Sequence, residues 1–441
     1  MKSKYVLAIV FGIILIGAIF ITIVYFTQDS KTDQNIISET CEGYTLLSGD
    51  GAVFNDLPAY LIDMEGNVVQ EWSISGAPVK MLPGGSIIGS KRGLKTIDRR
   101  AGHDTIELIQ LSWDGLEEWS FTNWDSGSAN IMMSRQHHDF QREGNPVGYY
   151  SPCYEFDDNG NTLILAHKDV TDTGIIKDSI IDDVIYEVDW QGNILFEWYA
   201  YEHFDEFGFD EEAKKSIYKK NSKDWLHVNS MSYLGENQWY DQGNEIFNPE
   251  NIIISSREAS IIAIISKETG EIVWKVGPVY AEGPESSLSQ IIGQHHPHII
   301  PKGLPGAGNI LVFDNGWNSG YGGSTGYPRF NRPYSRVIEF NPITFEIIWQ
   351  YGGENLGNEF YSSRISSAQR LPNGNTMIDE GTEGRIFEVN YEKEIVWEYE
   401  IPKRNNKDVN VYRAYRIPPE WLPLNPEEYD AWSELYTNYV C

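Results

Sequence analysis

An all-β, six-bladed β-propeller preceded by a single N-terminal transmembrane helix is the fold class that the sequence predicts, and three observations predict it. An alternating apolar run, a polar turn and a second run ending in tryptophan recur six times along the chain. A strand-turn-strand signature precedes several of these units. The 441 residues include 14 Trp, 26 Tyr and 40 Gly, a mixture that suits strands joined by tight turns better than helix bundles.

The first element is MKSKYVLAIVFGIILIGAIFITIVYF, in which Lys2 and Lys4 precede 22 uncharged, mostly apolar residues from Tyr5 to Phe26. As a helix this run would span about 33 Å, enough for a bilayer core. Lysines before it and an acidic chain after it predict a single-pass anchor with a cytoplasmic N-terminus and an extracellular propeller. A cleaved signal peptide is the rival reading, but the run is long and no small-x-small cleavage site follows. The anchor (residues 1–26) leads into a polar tether (27–40), the propeller (41–418) and a C-terminal tail (419–441) expected to pack on it.

The repeats are AYLIDMEGNVVQEW, IELIQLSWDGLEEW, IYEVDWQGNILFEW, IIAIISKETGEIVW, VIEFNPITFEIIW and IFEVNYEKEIVW. Each reads as a β-hairpin, because alternation gives a two-faced strand and turns such as EGN, DG and QGN tolerate positive φ. The closing residues Trp72, Trp119, Trp198, Trp274, Trp349 and Trp397 are assigned to packing between blades. KMLPGGSIIGS, YEFDDNGNTLILAH, LPGAGNILVFDN and RLPNGNTMIDE supply the other two strands, making four per blade. Between the third and fourth repeats, residues 201–223 break the β pattern and predict a short helix around DEEAKKSIYKK, capping one face. The Gly- and aromatic-rich segment 317–336 is expected near the same mouth.

A net charge of -30, with no basic block, excludes nucleic acid as a partner and requires local cations wherever an anion binds. Of the three cysteines, Cys41 and Cys441 bracket the propeller and are the pair expected to meet as the ring closes, leaving Cys153 a buried thiol; a frayed, reduced Cys441 is the alternative.

Six of the nine histidines fall in three motifs: RQHHDFQREGNP (His137, His138), DWLHVNSMSY (His227) and GQHHPHIIP (His295, His296, His298). Each lies just before or within a blade's opening strands, which line the channel of a propeller, so residues far apart in sequence converge. Arg257 of ISSREAS, Arg336 of YSRVIEF and Arg364 of FYSSRISSAQR occupy comparable places. A guanidinium holds an oxyanion bidentately, and imidazole acts as base, acid or nucleophile, so the set suits an oxyanion ester. The competing readings are a hydrogen-bonded structural role for each histidine and an ion pair with a neighbouring acid for each arginine. Asp139, Asp224 and Asp314 could join the histidines around a metal, but HHD and HHPH are adjacent runs without ligand spacing, and no metal is expected. The ETGEIVW turn is similar to the blade motif of pyrroloquinoline-quinone propellers, but that motif encodes packing, and no cofactor is expected.

Taken in order, DWLHVNSMSY, IIISSREASIIAIISKETGEIVWKVG, GQHHPHIIP with GNILVFDNG, and YSRVIEFNP with IIWQYGG resemble the arylsulfate sulfotransferase family over roughly residues 130–400. The resemblance implies an extracytoplasmic six-bladed propeller whose channel histidines and an arginine transfer sulfate from one phenol to another without a nucleotide donor. His227 and His295 match the family's active-site histidines. Two departures stand out: no histidine follows His298, where the family carries its nucleophile in the last blade, and the arginines nearest FDNG are Arg329 and Arg332, past an insertion.

The expected catalytic set is therefore His227, His295, Arg336 and Arg364. Substrate contacts are expected from His138, Arg257, His296, His298, Asn229, Asn315 and Arg329. The partners implied are a small sulfate ester or phenol, transferred or hydrolysed in the channel, and the membrane through the N-terminal helix. A non-catalytic propeller that binds a ligand or surface partner is the alternative.

Overall fold

Six four-stranded antiparallel sheets follow one another along the chain and close into a ring. The computed structural model describes residues 40–423 apart from 50–57, 75–77, 91–103, 128–130, 158, 178, 221–222, 279, 281–283, 322–329, 355–356, 358 and 404–408. The transmembrane helix expected over residues 5–26 lies outside the described residues, as do Arg329 and Cys441. Among the described residues no helix is long and apolar enough to cross a membrane.

Blade 1 combines β1 (Tyr44–Gly49), β2 (Ala59–Ile62) and β3 (Val68–Trp72) with the last strand of the chain, β24 (Val411–Ile417). Blade 2 is β4 (Lys80–Met81), β5 (Ile87–Ser90), β6 (Leu108–Leu111) and β7 (Glu117–Phe121). Blade 3 is β8 (Gln136–Arg142), β9 (Thr162–Val170), β10 (Ile180–Val188) and β11 (Ile194–Tyr199). Blade 4 is β12 (Val228–Tyr233), β13 (Ile252–Ser256), β14 (Ile261–Ile265) and β15 (Ile272–Val276). Blade 5 is β16 (His295–Ile299), β17 (Ile310–Asp314), β18 (Arg336–Phe340) and β19 (Ile347–Gly352). Blade 6 is β20 (Ser367–Arg370), β21 (Thr376–Glu380), β22 (Arg385–Val389) and β23 (Ile395–Glu400).

The six repeated hairpins are the outer halves of the blades. Middle strands such as IIISS (β13) and IIAII (β14) are buried throughout because each blade lies between two others, and so they read as continuous apolar runs. Alternation returns in outer strands such as EEWSF (β7), whose other face meets solvent.

Each closing tryptophan gives its indole N–H to a backbone carbonyl in the hairpin turn of the next blade. Trp72 reaches the carbonyls of Ser112 and Trp113 at 3.2 Å, Trp119 that of Trp190 at 3.0 Å, and Trp198 that of Gly270 at 2.9 Å. Trp274 reaches Pro342 at 3.1 Å and Trp349 reaches Tyr391 at 3.1 Å. Trp397 completes the circle at the Met64 carbonyl, 2.9 Å away. The repeated residue thus both packs between blades and sets their spacing. Trp397→Phe, which keeps a ring but removes this donor at the closing interface, is expected to cost about 1 kcal/mol. Urea unfolding checks it, and a loss no larger than that of exposed Trp317→Phe would contradict the role.

The ring closes by backbone pairing, with Leu46 opposite Tyr415 in the β1–β24 ladder. The expected Cys41–Cys441 staple is corrected: Cys41 is free and buried, and Cys153 is the disulfide-bonded residue. Ladder hydrogen bonds join the chain ends without a covalent link at Cys41, and burial pushes the Cys41 thiol well above the usual range.

At the axis, one carboxylate joins four blades. Asp139 (β8) accepts from Lys80 Nζ (β4) at 2.6 Å, from Arg413 Nη1 (β24) at 2.8 Å and from the Met231 N–H (β12) at 3.0 Å, with all three side chains buried. These bonds across the ring identify β4, β8, β12 and β24 as inner strands. Burial works against ionisation of Asp139, but Arg413 and Lys80 outweigh it and hold the carboxyl below its usual range.

The insertion after blade 3 contains the expected helix, α1 (Glu211–Tyr218), capped by Asp210 Oδ1 accepting from the Ala213 N–H at 2.7 Å. The insertion meets the 317–336 segment through Tyr321, whose hydroxyl donates to the Trp225 carbonyl and whose ring lies 6.0 Å from Phe209.

Candidate functional site

The inner strands all run in the same direction, because each enters from the outer strand of the preceding blade, so their first residues gather at one mouth. In three of them the ladder is irregular at that end, and a histidine of positive φ lies within the irregularity or directly before it: His138 (56°) and His296 (54°) within, His227 (51°) before. For a non-glycine residue this conformation costs of order 1–3 kcal/mol and persists only where its surroundings hold it. Here each strained carbonyl is held: that of His138 by the Tyr412 hydroxyl (3.1 Å), that of His227 by the Arg257 N–H (3.0 Å), and that of His296 by His298 Nδ1 (2.9 Å).

The rings of His138 and His227 meet edge-on with centres 4.8 Å apart. His227 is partly exposed, and its Nδ1 lies 2.5 Å from Asp224 Oδ2. Burial opposes ionisation of Asp224, yet the neighbouring His227 holds its carboxyl well below the usual range. His138 Nδ1 lies 2.8 Å from His137 Nδ1. Tyr412 also reaches the Asn229 carbonyl at 3.2 Å, tying the closing strand to blades 3 and 4. Arg257 sits beside His227 with Nη1 2.6 Å from Glu258 Oε1, and Lys220 Nζ reaches the other oxygen of Glu258 at 2.7 Å. A carboxylate-oriented imidazole facing a second imidazole is suited to moving a proton.

Residues 136–413, which carry this mouth, match the model of the arylsulfotransferase (ASST) family. The chain belongs to that family. No curated protein matches it in sequence. Among solved structures, it is similar to a protein of unknown function from Bacteroides caccae, 12% identical over 86% of this chain and 99% of that one, with a TM-score of 0.45. It is also similar to virginiamycin B lyase from Staphylococcus aureus (12% identity, 83% of each chain, TM-score 0.33) and to AztD from Citrobacter koseri (9%, 85% and 98%, TM-score 0.36).

Within this arylsulfotransferase-family propeller the expected residues divide into two groups. His138, His227, Asn229 and Arg257 gather around the mouth. His295 is instead bonded through both ring nitrogens: Nδ1–H donates to Asn315 Oδ1 at 2.7 Å, and Nε2 accepts from the Ile365 N–H at 3.2 Å. Burial, with Arg257 and His227 adding to it, drives its pKa well below the usual value, so it is neutral. Asn315 continues the link, donating to the carbonyls of Ser362 and Ile365 at 2.8 and 2.9 Å. This chain of bonds fastens blade 5 to blade 6.

His298 is likewise bonded, by Nδ1–H to the His296 carbonyl and by Nε2 to the Tyr149 hydroxyl at 2.7 Å, and burial lowers its pKa to about 4. His296 is buried, and its Nδ1 has no hydrogen-bond partner among the described residues. Arg336 donates to Asp314 Oδ2 and to the Leu288 carbonyl, each at 2.8 Å, and Arg332 takes the other Asp314 oxygen at 2.5 Å. Arg364 is exposed beside Ile365. Asp224, which the sequence suggests only as a metal ligand, and Tyr412 and Arg413, which no motif marks, are the further residues at this mouth and axis. Asp224, three residues before His227 in DWLH, is the partner that sequence spacing could have supplied.

Proposed function

We propose that this mouth transfers a sulfuryl group from an aryl sulfate to a phenol. The acceptor hydroxyl gives its proton to the His227 nitrogen not held by Asp224 as its oxygen bonds to sulfur. The sulfur–oxygen bond to the donor phenol breaks, and the proton passes to the departing phenolate. Arg257 and Lys220 share one carboxylate, Glu258, which leaves a net positive charge for the sulfuryl oxygens, a need set by the net charge of -30. With water in place of the phenol the same steps give hydrolysis. The observation that carries this reading is the Asp224–His227 pair facing His138 at the mouth of a family propeller.

The run from Tyr5 to Phe26 supports a single-pass anchor with the propeller outside the membrane. Membranes from cells expressing the full-length chain, washed at alkaline pH, are incubated with 4-nitrophenyl sulfate and phenol. Nitrophenolate and phenyl sulfate are expected in equal amounts from the washed pellet. Nitrophenolate release with no phenyl sulfate formed would sink the transfer reading, and activity confined to the wash would sink the anchor.

A second reading, a propeller that binds aryl sulfates without turnover, is favoured by the bonded state of His295 and by the lack of any histidine after His298. Saturable binding of 4-nitrophenyl sulfate with no product identifies it.

A further inference from the structure

Next to the mouth, blade 3 holds a cluster that the proposed transfer does not use. His137 (β8), His167 (β9) and Asp183 (β10) lie on three neighbouring strands, with His167 directly opposite Asp183 in the register. All three are buried. The two imidazoles stack with ring centres 3.6 Å apart. Their Nε2 atoms stand 3.4 Å (His137) and 3.7 Å (His167) from one oxygen, Asp183 Oδ1.

The remaining polar atoms of the three side chains are engaged elsewhere. His167 Nδ1 lies 2.5 Å from Asp104 Oδ1, and Asp104 is itself paired with Arg135 at 2.8 Å. His137 Nδ1 meets His138 Nδ1, and Asp183 Oδ2 accepts from the Val228 N–H at 3.1 Å. The inward atoms are the ones left over: His137 Nε2 and Asp183 Oδ1 have no hydrogen-bond partner among the described residues. A buried carboxylate oxygen and a buried ring nitrogen, both unpaired and 3.4 Å apart, form a costly arrangement that a cation between them relieves.

We propose that His137 Nε2, His167 Nε2 and Asp183 Oδ1, which lie within 4.8 Å of one another, bind one divalent first-row transition ion, of which zinc best suits two imidazoles and one carboxylate. The Asp104–His167 contact is the outer partnership that fixes a metal-binding imidazole in orientation and tautomer. The proposal shares no ligand atom with the Asp224–His227 pair and does not rest on the sulfuryl-transfer reading. The contacts come from three strands, which is why the spacing along the sequence gave no sign of them.

The test uses the full-length chain, stripped with a chelator, exchanged into clean buffer and supplied with zinc alone. Elemental analysis is expected to find one zinc per chain, and cobalt in its place is expected to give visible ligand-field absorption. Asp183→Asn and His137→Ala should lose the bound ion. Asp104→Asn leaves every ligand atom in place and should weaken zinc binding by about 10- to 100-fold in competition with a chromogenic chelator. It keeps the proposal testable if the ligand variants do not fold. His203→Ala, removing a histidine paired with Glu206 in the insertion, should retain the full complement. Folded wild-type chain that takes up no zinc would overturn the proposal. Wild-type affinity in both Asp104→Asn and Asp183→Asn would overturn it as well.

Discussion

Asp139→Ala is expected to destabilise the propeller by about 3–5 kcal/mol, because it leaves Lys80 and Arg413 as uncompensated buried charges. A domain of ordinary stability has about 5–15 kcal/mol in all, so the variant should sit close to unfolding. Denaturant unfolding measures the loss, and a value under about 1 kcal/mol, the worth of an exposed pair, would show that the carboxylate does not join the blades. The acid side gives an independent reading. Arg413 and Lys80 hold Asp139 below its usual range against burial, so the folded state binds this proton more weakly than the unfolded chain. That stabilisation is complete above the unfolded carboxylate value of about 3.9 and is lost as pH falls through the folded value, so Asp139→Asn should flatten the acid limb of stability against pH. Lys80 acts in the same sense, in a higher pH window. Burial, only partly opposed by Asp139, pushes it down to about 8, so its contribution improves as pH rises from there toward the ordinary lysine value of about 10.4.

The propeller was legible because its information is local. A tryptophan at the end of each hairpin needs a carbonyl in the next blade, and six copies of the hairpin supply both, so counting repeats counts blades. Closure was legible only in part. That the chain ends meet follows from the need to close a ring, but VYRAYRI, the closing strand, carries two arginines and does not read as an inner strand. Arg413 is buried against Asp139, 274 residues away, and Arg416 against Glu388, and no local pattern announces such pairs. The same holds at the site. His227 announces itself through its motif, and Asp224 lies on the same short segment. Arg336 looked suited to an anion, but it is engaged by Asp314, 22 residues earlier on the neighbouring strand, as the surplus of acids allowed. His295 looked like its counterpart in the family, and only the tertiary fold shows Asn315 and the Ile365 N–H taking both of its nitrogens.

That contrast between the two histidines makes the largest functional prediction. His227→Ala is expected to lower turnover of 4-nitrophenyl sulfate with phenol by about 10²- to 10⁴-fold, the usual contribution of a positioned acid-base group, with a smaller fall in thermal midpoint than His295→Ala gives. The His227 ring is partly exposed and paired with Asp224, whereas His295 is buried and bonded through both nitrogens, so the two midpoints should separate. Asp224→Asn should also lower turnover, since the amide no longer fixes the imidazole tautomer or stabilises its charged form. Because His227 holds Asp224 well below the usual carboxylate range, protonation of Asp224 is not expected to limit the rate under mildly acid conditions. His295→Ala should do the reverse. It strips partners from buried Asn315 and from the Ile365 N–H, each worth about 1–3 kcal/mol when left unsatisfied, so the melting midpoint should fall while folded protein keeps most of its turnover. Steady-state kinetics at a temperature well below every midpoint separates the two effects. If His227→Ala stays within about threefold of wild type while His295→Ala removes turnover, the acid-base assignment moves to blade 5 and the Asp224–His227 pair becomes a structural contact.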